Sequence, residues 1–545
     1  MRVAVFVALL LVVFAAFGMA ASCPHKNMNQ LQTLTSLDRT DAMREPSTFL
    51  ELANVLPELH AEFDADFKAM SCDTCTNIVG TIAKVSMNET AMATIINIAK
   101  IGCATVFKEQ KKIETCQKIS NIVLTLLPKA TAALLKLEWE AEAFCSLIVP
   151  VCTINCCVHK SAPEQVHIAL GDREDEMTVS WVAQTETSRP FVSFRRAGTT
   201  DNFVIANATS TTYTVSQWNG VVHHATLSGL RPDTVYAYTV VSNEIASETF
   251  SFRTLPSRAI LGTKASPLRL LQIADLDYGV GKAVVDGMVD IVQSHSYHAL
   301  LLVGDMGYAD GYEAHWDLFM RVLAPVAAYI PVMTAPGNHE MLFNFKAYRT
   351  RFQMPNYAVS QNHYYGLRLG TVHISMMSSE SQINTPEISD AQIAWFREEQ
   401  ATRAANATWR IAAFHRPVYC TTPASKAQCG VFASLIRKRV EADLIKAGID
   451  LHISGHQHGY ERSFPVAHEK RVTQSYERPG APVYIVSGAG GNREGMREVK
   501  VDQEWSATGN TQQGFLTIEI ADNKMDVKYY DVTTGRVADE FVITK

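Results

Sequence analysis

The chain has 545 residues, of which 47% are hydrophobic and 19% are charged. This length exceeds what one hydrophobic core usually supports, so we expect roughly two to four domains. The balance of apolar and charged residues excludes a largely disordered chain. The formal net charge of −6 argues against a nucleic-acid-binding protein, which would carry a strongly basic face.

The N-terminus has the features of a secretory signal peptide. A basic residue at position 2 precedes an almost entirely apolar run over residues 3–18, and small residues follow. We predict a signal peptide over 1–21 and a linker or pro-segment over 22–65. An uncleaved membrane anchor is the alternative, but no basic cluster follows the apolar run. Export predicts a secreted protein or one of the lysosomal or vacuolar lumen, where disulfides persist.

Six of the eleven cysteines fall within one short stretch of helix-like sequence. Between them apolar residues recur at helical spacing, as in the segment 91–107. Cys72 and Cys75 could begin a zinc site, but no second pair of cysteines or histidines with such spacing lies nearby, so a disulfide framework is favoured. Disulfides would compensate for the thin core of a small helical domain.

This cysteine-rich stretch resembles a saposin B-type domain, which we place at residues 66–157. The resemblance implies contact with lipid or a membrane surface. A pro-segment or spacer that never meets lipid has equal weight, because an apolar helical face is usually core. Cys23, Cys156 and Cys157 are left over, and an odd thiol leaves open a disulfide between two chains and thus a homodimer. The resemblance also implies the nested bridges Cys72–Cys152, Cys75–Cys145 and Cys103–Cys116.

After the cysteine-rich stretch the pattern changes to an alternation with a period of two. Glu164–Leu170, Met177–Val182 and Thr234–Val240 are predicted strands, bounded by Gly, Pro, Asp and Asn. The segment 230–236 resembles the corner of a fibronectin type III sandwich, in which a tyrosine hydroxyl binds nearby backbone. We predict an all-β sandwich over residues 161–256 that serves as a scaffold.

The pattern changes again after a polar, proline-containing join, and we predict an α/β domain over residues 265–545. Helical segments such as 282–294 and 432–446 separate apolar runs, an alternation typical of a layered domain with parallel strands. In such sheets the functional site forms at the carboxyl ends of the strands. The predicted strands are Leu268–Ala274, His298–Val303, Trp409–Phe414, Asp450–Ser454 and Val483–Val486.

Candidate metal ligands stand in five motifs that follow strands of this domain. One such motif would mean little, since a single histidine is more often a hydrogen-bonded packing residue, but five in succession are hard to obtain by chance. Carboxylate, imidazole, amide and phenolate donors without thiolate suit Fe, Zn or Mn, and seven such groups could hold two ions. The motifs are Asp275-Leu-Asp277, Gly304-Asp305-Met-Gly-Tyr308-Ala-Asp310, Asn338-His339-Glu340, His415-Arg-Pro417 and His456-Gln-His458.

In their order these motifs resemble the purple acid phosphatase branch of the calcineurin-like metallophosphoesterases, over residues 163–545. The resemblance implies a four-layer α/β/β/α catalytic domain and an acid phosphatase that hydrolyses phosphate monoesters with a metal-bound hydroxide. It also implies Fe(III) beside a divalent ion (Zn, Fe or Mn). The implied ligands are Asp275, Tyr308 and His458 for Fe(III), and Asn338, His415 and His456 for the divalent ion, with Asp305 bridging both.

Two residues beside the motifs carry further expectations. Alongside Asp305, we predict a catalytic role for His339 as a donor to the phosphoryl oxygens or the leaving group. The alternative for His339 is support of the neighbouring ligand Asn338. Asp277 stands where the resembled family usually has glycine and where related non-purple enzymes have a histidine ligand, so it either contacts the metal or points away. The general acid is not identified by the sequence.

Covalent modifications are predicted at further positions. Cys420 and Cys429 are expected to close a small loop beside the site. Export would also allow glycans on the Asn-x-Thr tripeptides, which occur at Asn88, Asn207 and Asn406.

Two alternative functions stay open at this point. The first is a secreted sphingomyelinase-like lipid phosphodiesterase with two zinc ions, because that group also joins a saposin-like module to a metallophosphoesterase domain. It has histidine at the Asp277 position and no equivalent of Tyr308, so the site motifs favour the phosphomonoesterase. The second is an inactive lipid-binding or adhesion protein, against which the presence of all seven expected ligands argues.

Overall fold

A computed structural model describes the second part of the chain nearly completely. The chain divides into two compact units, residues 1–153 and 154–545. The predicted signal peptide lies outside the described residues, as does nearly all of the predicted saposin-like domain, of which Cys72 is described and is disulfide-bonded. The described residues are Cys72, Thr76, Ser146, 153–158, 162–184, 189–380, 388–423 and 426–545.

The second unit begins with a sandwich of two antiparallel sheets. Its strands are β1 Glu164–Leu170, β2 Met177–Ala183, β3 Phe191–Arg196, β4 Val204–Asn207, β5 Thr209–Thr211, β6 Val221–Leu227, β7 Val235–Ser242, β8 Ile245–Ala246 and β9 Phe250–Arg253. One sheet has the order β1-β2-β6-β5 and the other β4-β3-β7-β8, with β9 also paired to β7. Buried residues alternate with half-buried ones along β7, as expected for a strand with one covered face.

The predicted tyrosine corner is present in this sandwich. The hydroxyl of Tyr236 accepts a hydrogen bond of 3.0 Å from the backbone N–H of Arg231, five residues earlier. Trp181 is fully buried, and its indole N–H donates to Ser242 Oγ over 2.8 Å. The three strands expected from the sequence are found within two residues of their predicted bounds.

An α/β part with two large sheets follows. Its helices are α1 Lys282–Gln293, α2 Glu313–Ala327, α3 Leu342–Arg351, α4 Tyr357–Ser360, α5 Asp390–Ala401 and α6 Ala433–Lys446, with a 3₁₀ turn at Asn338–Glu340 and a π-helix at Lys426–Phe432. Its strands are β10 Leu268–Ile273, β11 Ala299–Val303, β12 Val332–Ala335, β13 Tyr365–Leu369, β14 Val372–Met376, β15 Trp409–Ala413, β16 Leu451–Ser454, β17 Tyr460–Ser463, β18 Val466–Ala467, β19 Lys470–Arg471, β20 Val483–Ser487, β21 Ser506–Asn510, β22 Gly514–Ala521, β23 Lys524–Asp531 and β24 Arg536–Thr544.

The two large sheets contact each other through side chains. The six-stranded sheet has the order β12-β11-β10-β22-β23-β24 and the seven-stranded sheet the order β13-β14-β15-β16-β20-β17-β21. Tyr460 of the second sheet stacks on Tyr529 of the first with ring centroids 4.2 Å apart. The Tyr365 hydroxyl donates to the Thr334 carbonyl over 2.7 Å. Strands β11, β15 and β20 are therefore apolar along almost their whole length, since both of their faces are covered.

Helices α5 and α6 pack against the seven-stranded sheet. Phe396 of α5 and Val440 and Leu444 of α6 pack into one core cluster with Ala412 of the seven-stranded sheet. The helices expected over 282–294 and 432–446 are confirmed, each ending or beginning one residue inside its predicted bounds. Among the helices that the structure describes, none combines the length and apolarity needed to span a bilayer.

An ionic cluster lies where the sandwich packs on the α/β part. Arg351, at the end of α3, has a side chain that is 1% exposed. Its guanidinium donates to Gln165 Oε1 at 3.0 Å and to the Tyr213 hydroxyl at 2.7 Å, and it lies 2.9 Å from Asp317 Oδ1 and 3.3 Å from Glu313 Oε2. The indole N–H of Trp218 also donates to Asp317 Oδ2 at 2.9 Å. We name this set the junction cluster: Gln165, Tyr213, Trp218, Glu313, Asp317 and Arg351.

Two histidines of the sandwich bind the last carbonyls of α3. His167 Nε2 lies 3.0 Å from the Arg351 carbonyl oxygen, and His224 Nε2 lies 2.9 Å from that of Thr350. Burial lowers the pKa of both imidazoles to about 4, so both are neutral donors over most of the pH range. Strands β1 and β6 thus satisfy carbonyl groups that a helix end leaves without partners.

Candidate metal centre

The predicted ligands converge at one end of the two sheets. Asp275 follows β10, Asp305 follows β11, and Asn338 comes three residues after β12. These three strands are parallel neighbours, and His415 and His456 follow the parallel pair β15 and β16 of the other sheet. The site therefore occupies the carboxyl ends of both parallel runs, as the sequence predicted.

Asp275, Tyr308 and His458 form one group of donors. The Tyr308 hydroxyl lies 3.3 Å from Asp275 Oδ1 and 3.3 Å from His458 Nε2, and these last two atoms are 3.5 Å apart. All three side chains are buried. His458 Nδ1 lies 3.1 Å from the Gly495 carbonyl oxygen, which makes Nδ1 the donor and leaves the lone pair on Nε2 facing the group.

Asp305, His415, His456 and Asn338 form the neighbouring group. One donor atom from each of Asp305, His415 and His456 lies within 4.8 Å of the others. His415 Nδ1 lies 3.0 Å from the Val303 carbonyl oxygen, and its Nε2 is 2.9 Å from Asp305 Oδ2. Asn338 Oδ1 is buried and finds no hydrogen-bond partner within the described parts of the chain. Buried amide oxygens are normally paired, so this atom is aimed at something else.

The charges of this cluster favour the binding of a cation. Burial raises the pKa of Tyr308 well above its ordinary value, and the Asp275 carboxylate raises it further. Burial alone would lower the pKa of His415, but Asp305 raises it to about 9, and the same pairing holds the pKa of Asp305 below its usual range despite burial. Oxygen and nitrogen donors that share a buried space in this way suit hard or borderline metal ions.

The backbone at this site is strained. Asp275, Asp305, Tyr308 and His456 have φ angles of 59°, 51°, 49° and 69°, in the left-handed region that residues with a Cβ rarely adopt. Each such residue costs on the order of 1–3 kcal/mol, and such residues concentrate at functional sites. The strained backbone therefore lowers local stability and directs these four side chains to the candidate metal centre.

Close approach of the loops requires glycine at two positions. Gly304 has a φ of +84°, and a Cβ there would lie 2.5 Å from His415 Nδ1. A Cβ on Gly455 would lie 2.3 Å from Asp275 Oδ2. Any larger residue at either position would displace a proposed ligand.

Glu340 supports the Asp305 loop, a role that the sequence pattern did not predict. Its carboxylate accepts hydrogen bonds from the backbone N–H groups of Asp305 at 2.9 Å, Met306 at 2.8 Å and Gly337 at 2.7 Å. Burial and the nearby charge of Asp305 raise the pKa of Glu340 to about 8, although the three donors favour its ionised form. The only sequence signal was its position directly after Asn-His.

His339 lies beside both donor groups. Its Nδ1 is 2.8 Å from Asp310 Oδ1. Its Nε2 is 3.9 Å from Asp305 Oδ2 and 3.6 Å from Glu494 Oε1. Its ring centroid lies 4.3 Å from that of Tyr308. Burial lowers the pKa of His339, but the carboxylates of Asp310 and Asp305 raise it well above the ordinary value. No local pattern in the sequence pointed to Asp310 or Glu494 as a partner of this histidine.

Asp277 is engaged by other protein groups. Its Oδ1 accepts from the Gly279 N–H at 2.6 Å, and its Oδ2 accepts from Arg493 Nε at 2.5 Å. Arg493 in turn lies over the Tyr278 ring, 5.0 Å from its centroid. Of the two alternatives left open by the sequence, this geometry favours the one in which Asp277 points away from the metals.

The structure joins Cys420 to Cys429 by a disulfide, with Cα atoms 5.2 Å apart. The loop that it closes brings Gln428 to His456, an approach for which the sequence carried no signal. Cys156 and Cys157 are buried free thiols.

Three family models match the chain. "Purple acid Phosphatase, N-terminal domain" matches residues 163–254, "Calcineurin-like phosphoesterase" matches 268–460, and "Iron/zinc purple acid phosphatase-like protein C" matches 481–540. Together these models include both the sandwich and the α/β part with its candidate metal centre.

Named relatives agree with these matches. The chain is 32% identical over 391 residues to acid phosphatase type 7 of Homo sapiens, covering 66% of this chain and 85% of the human protein. It is 30% identical over 358 residues to purple acid phosphatase 22 of Arabidopsis thaliana, covering 64% and 76%. The solved purple acid phosphatase PPD1 from yellow lupin seeds superposes with a TM-score of 0.63 at 22% identity, covering 71% of this chain and 75% of that one, which shows a shared fold.

Proposed function

The chain belongs to the purple acid phosphatase family, and we propose that it hydrolyses phosphate monoesters with Fe(III) beside a divalent ion. Its acid phosphatase activity, exerted through a dinuclear metal centre, follows from its relatives. The observation that carries the iron assignment is the contact of the Tyr308 hydroxyl with Asp275 Oδ1 and His458 Nε2, both at 3.3 Å. A phenolate is a good donor to Fe(III), and burial disfavours its ionisation unless a cation lies beside it.

Each ion has its own proposed ligands. When bound, the two ions would supply an activated water as the nucleophile and neutralise charge on the phosphoryl group. Backbone carbonyls support the assignment, because they orient His415 and His458 with Nε2 free for a metal. We assign Asp275, Tyr308 and His458 to Fe(III), Asn338, His415 and His456 to the divalent ion (Zn, Fe or Mn), and Asp305 as the bridge.

His339 is proposed as the donor to the phosphoryl group or leaving oxygen. The Asp310 carboxylate accepts from Nδ1–H, and the raised pKa of His339 keeps the imidazole cationic, so Nε2 also carries a proton that it can give. His339 Nε2 lies 3.9 Å from Oδ2 of Asp305, the proposed bridging ligand, and is therefore close to the proposed metal site. A donor fixed in this way stabilises charge that develops on the substrate without having to reorganise.

The alternative functions are not favoured. Asp277 would have to replace the histidine ligand of a two-zinc lipid phosphodiesterase, but its oxygens are engaged by Gly279 and Arg493. The named relatives are phosphatases. An inactive protein would not need to keep four strained residues together with a buried amide oxygen that lacks a partner among the described residues.

The decisive experiment combines spectroscopy, metal analysis and assay on the exported protein. We expect iron in the protein, a broad visible band, and cleavage of an aryl phosphate that dominates over a choline phosphodiester at acid pH. Tyr308→Phe should abolish the band, whereas the matched Tyr312→Phe should leave it unchanged. A colourless protein that holds two zinc ions and prefers the diester would contradict the proposal.

The remaining expectations are also proposals. We propose export to the secreted or lysosomal or vacuolar space, with the N-terminal segment 66–157 as a saposin-like module that contacts lipid. Asn207 and Asn406 are exposed, as glycan attachment requires, whereas Asn88 lies outside the described residues. We also propose that the protein forms a homodimer and that the catalytic domain has a four-layer α/β/β/α arrangement.

A further inference from the structure

A short disulfide-closed loop lies beside His456. Cys420 is buried and Cys429 is half-buried, and the bond between them joins positions nine residues apart. Gln428 immediately precedes the second cysteine and is itself buried. Its Oε1 lies 2.9 Å from His456 Nε2. The side chain that contacts the far nitrogen of a proposed metal ligand is therefore fixed next to a covalent crosslink.

Arg416 defines the chemistry of this contact. Its Nη1 donates to Gln428 Oε1 at 3.1 Å and lies 3.1 Å from His456 Nε2. Its Nε donates to the Glu380 carboxylate at 2.8 and 3.0 Å, which holds the guanidinium in place. The oxygen of Gln428, and not its nitrogen, must face Arg416, because a guanidinium only donates. Arg416 Nη1 and His456 Nε2 both reach that oxygen, so with its proton on Nε2 the imidazole donates to the same acceptor as the guanidinium and keeps its lone pair on Nδ1.

The first end of the loop is anchored separately. The Thr421 backbone N–H and hydroxyl both donate to Glu461 over 2.9 Å, and Ser506 Oγ donates to the same carboxylate over 2.8 Å. Glu461 belongs to β17, the strand that follows His458. The disulfide thus ties the segment that carries Gln428 to a position fixed by the sheet.

From these contacts we propose that Gln428, held by the Cys420–Cys429 disulfide, is a positioning residue that keeps His456 Nδ1 aimed at the divalent ion. The inference rests on the proposed function, because it takes His456 as a ligand. Acceptors of this kind fix the tautomer and orientation of a ligating histidine and increase its basicity, and their loss typically lowers metal affinity about 10- to 100-fold. The disulfide consequently contributes to retention of one metal ion as well as to stability.

Release of the divalent ion tests this proposal directly. The full-length metal-loaded protein is mixed with a chelating dye, and capture of the divalent ion is followed while the visible band reports on the iron half. Gln428→Met keeps the length of the side chain and removes the acceptor, and we expect divalent release about 10- to 100-fold faster with the band retained. Gln428→Glu restores an acceptor and should release the ion at about the native rate.

Two further variants separate positioning from general loosening. The double variant Cys420→Ser/Cys429→Ser should accelerate divalent release in the same direction as Gln428→Met, again with the band retained. Gln165→Met is the matched control, because it removes another buried glutamine, one that belongs to the junction cluster. It should lower the temperature of unfolding without changing the release rate.

Three outcomes would overturn the inference. Release at the native rate from Gln428→Met would show that the contact does not hold the ligand. Equal acceleration by Gln428→Met and Gln428→Glu would show that packing, and not the acceptor, matters. Loss of the visible band in every loop variant would indicate collapse of the whole centre. If the unaltered protein contains no divalent ion, the proposed function itself fails, so the two failures are distinguishable.

Discussion

The metal centre and the junction cluster are both buried and polar, yet they balance their charges differently. In the junction cluster, the guanidinium of Arg351 meets the carboxylates of Glu313 and Asp317 as well as neutral acceptors. In the metal centre, acidic and neutral acceptors converge, the guanidinium of Arg416 reaches the far nitrogen of His456, and Asn338 Oδ1 has no partner among the described residues. A buried polar cluster whose groups pair with one another is structural, whereas a cluster that needs an added cation to pair its groups marks a functional site.

Removal of the cation from the junction cluster should have the largest effect on stability. Arg351→Met leaves two carboxylates buried without their partner, and breaking a buried ion pair in this way typically costs about 3–5 kcal/mol. Urea denaturation would measure the loss. Lys346→Met, on the same helix but exposed, is the control and should change the free energy of unfolding by less than about 0.5 kcal/mol. Equal stability of the two variants would contradict the proposed contrast.

Loss of the proposed donor should have the next largest effect, on activity alone. His339→Ala is expected to lower kcat by about 10²- to 10³-fold, the usual effect of removing one donor to a developing oxyanion. Asp310→Asn should cause a smaller loss, since the imidazole stays but its orientation is less fixed. Both are measured as kcat on an aryl phosphate, together with metal content and the visible band. If His339→Ala instead loses its metals, the residue supports the ligands.

The same substitution, glutamate to glutamine, made in each cluster tests whether metal release depends on the metal centre alone. Glu340→Gln weakens the bonds to the N–H groups behind Asp305, so we expect metal release about 10- to 100-fold faster. Glu313→Gln in the junction cluster should leave metal release at the native rate. Chelator-induced loss of the visible band measures both. Faster release from Glu313→Gln would mean that the two clusters are energetically coupled.

The last expected effect is a change in the pH dependence of stability. Burial raises the pKa of Glu313 to about 7, above its ordinary value of 4.5, despite the opposing effect of Arg351. The folded state thus binds the Glu313 proton more tightly than the unfolded state does. The stabilisation that this proton provides is fully present below pH 4.5. As pH rises from 4.5 to 7, the free energy of unfolding falls by up to about 1.4 kcal/mol per pH unit. Glu313→Gln should remove that fall.

Thermal unfolding from pH 4.5 to 7.5 would test this prediction, as a difference between the variant and the native chain. The difference is needed because His167 and His224, whose pKa values are lowered to about 4, change stability in the opposite direction between pH 4 and 6.5. Parallel curves for the two proteins would show that Glu313 is already ionised at acid pH.

The strands and the set of candidate ligands could be predicted from the sequence because both depend on local patterns. The apolar run ending at Ala274, for example, is a strand, and the aspartate after it lies at its carboxyl end. The supporting contacts could not be predicted. Asp277 meets Arg493 from 216 positions away, and Arg351 meets Gln165 from 186. Such pairs depend on how long loops cross the sheet edge, which periodicity does not encode.

The histidine contacts at the end of α3 bear on how this enzyme could evolve. A catalytic part separated from its sandwich would expose a buried arginine, two carboxylates and the last carbonyls of the helix that follows the His339 turn. We therefore expect the two parts to be inherited as one unit, with shuffling and insertion confined to the segment before them. Attempts to engineer a smaller enzyme would do better to shorten surface loops than to delete the sandwich.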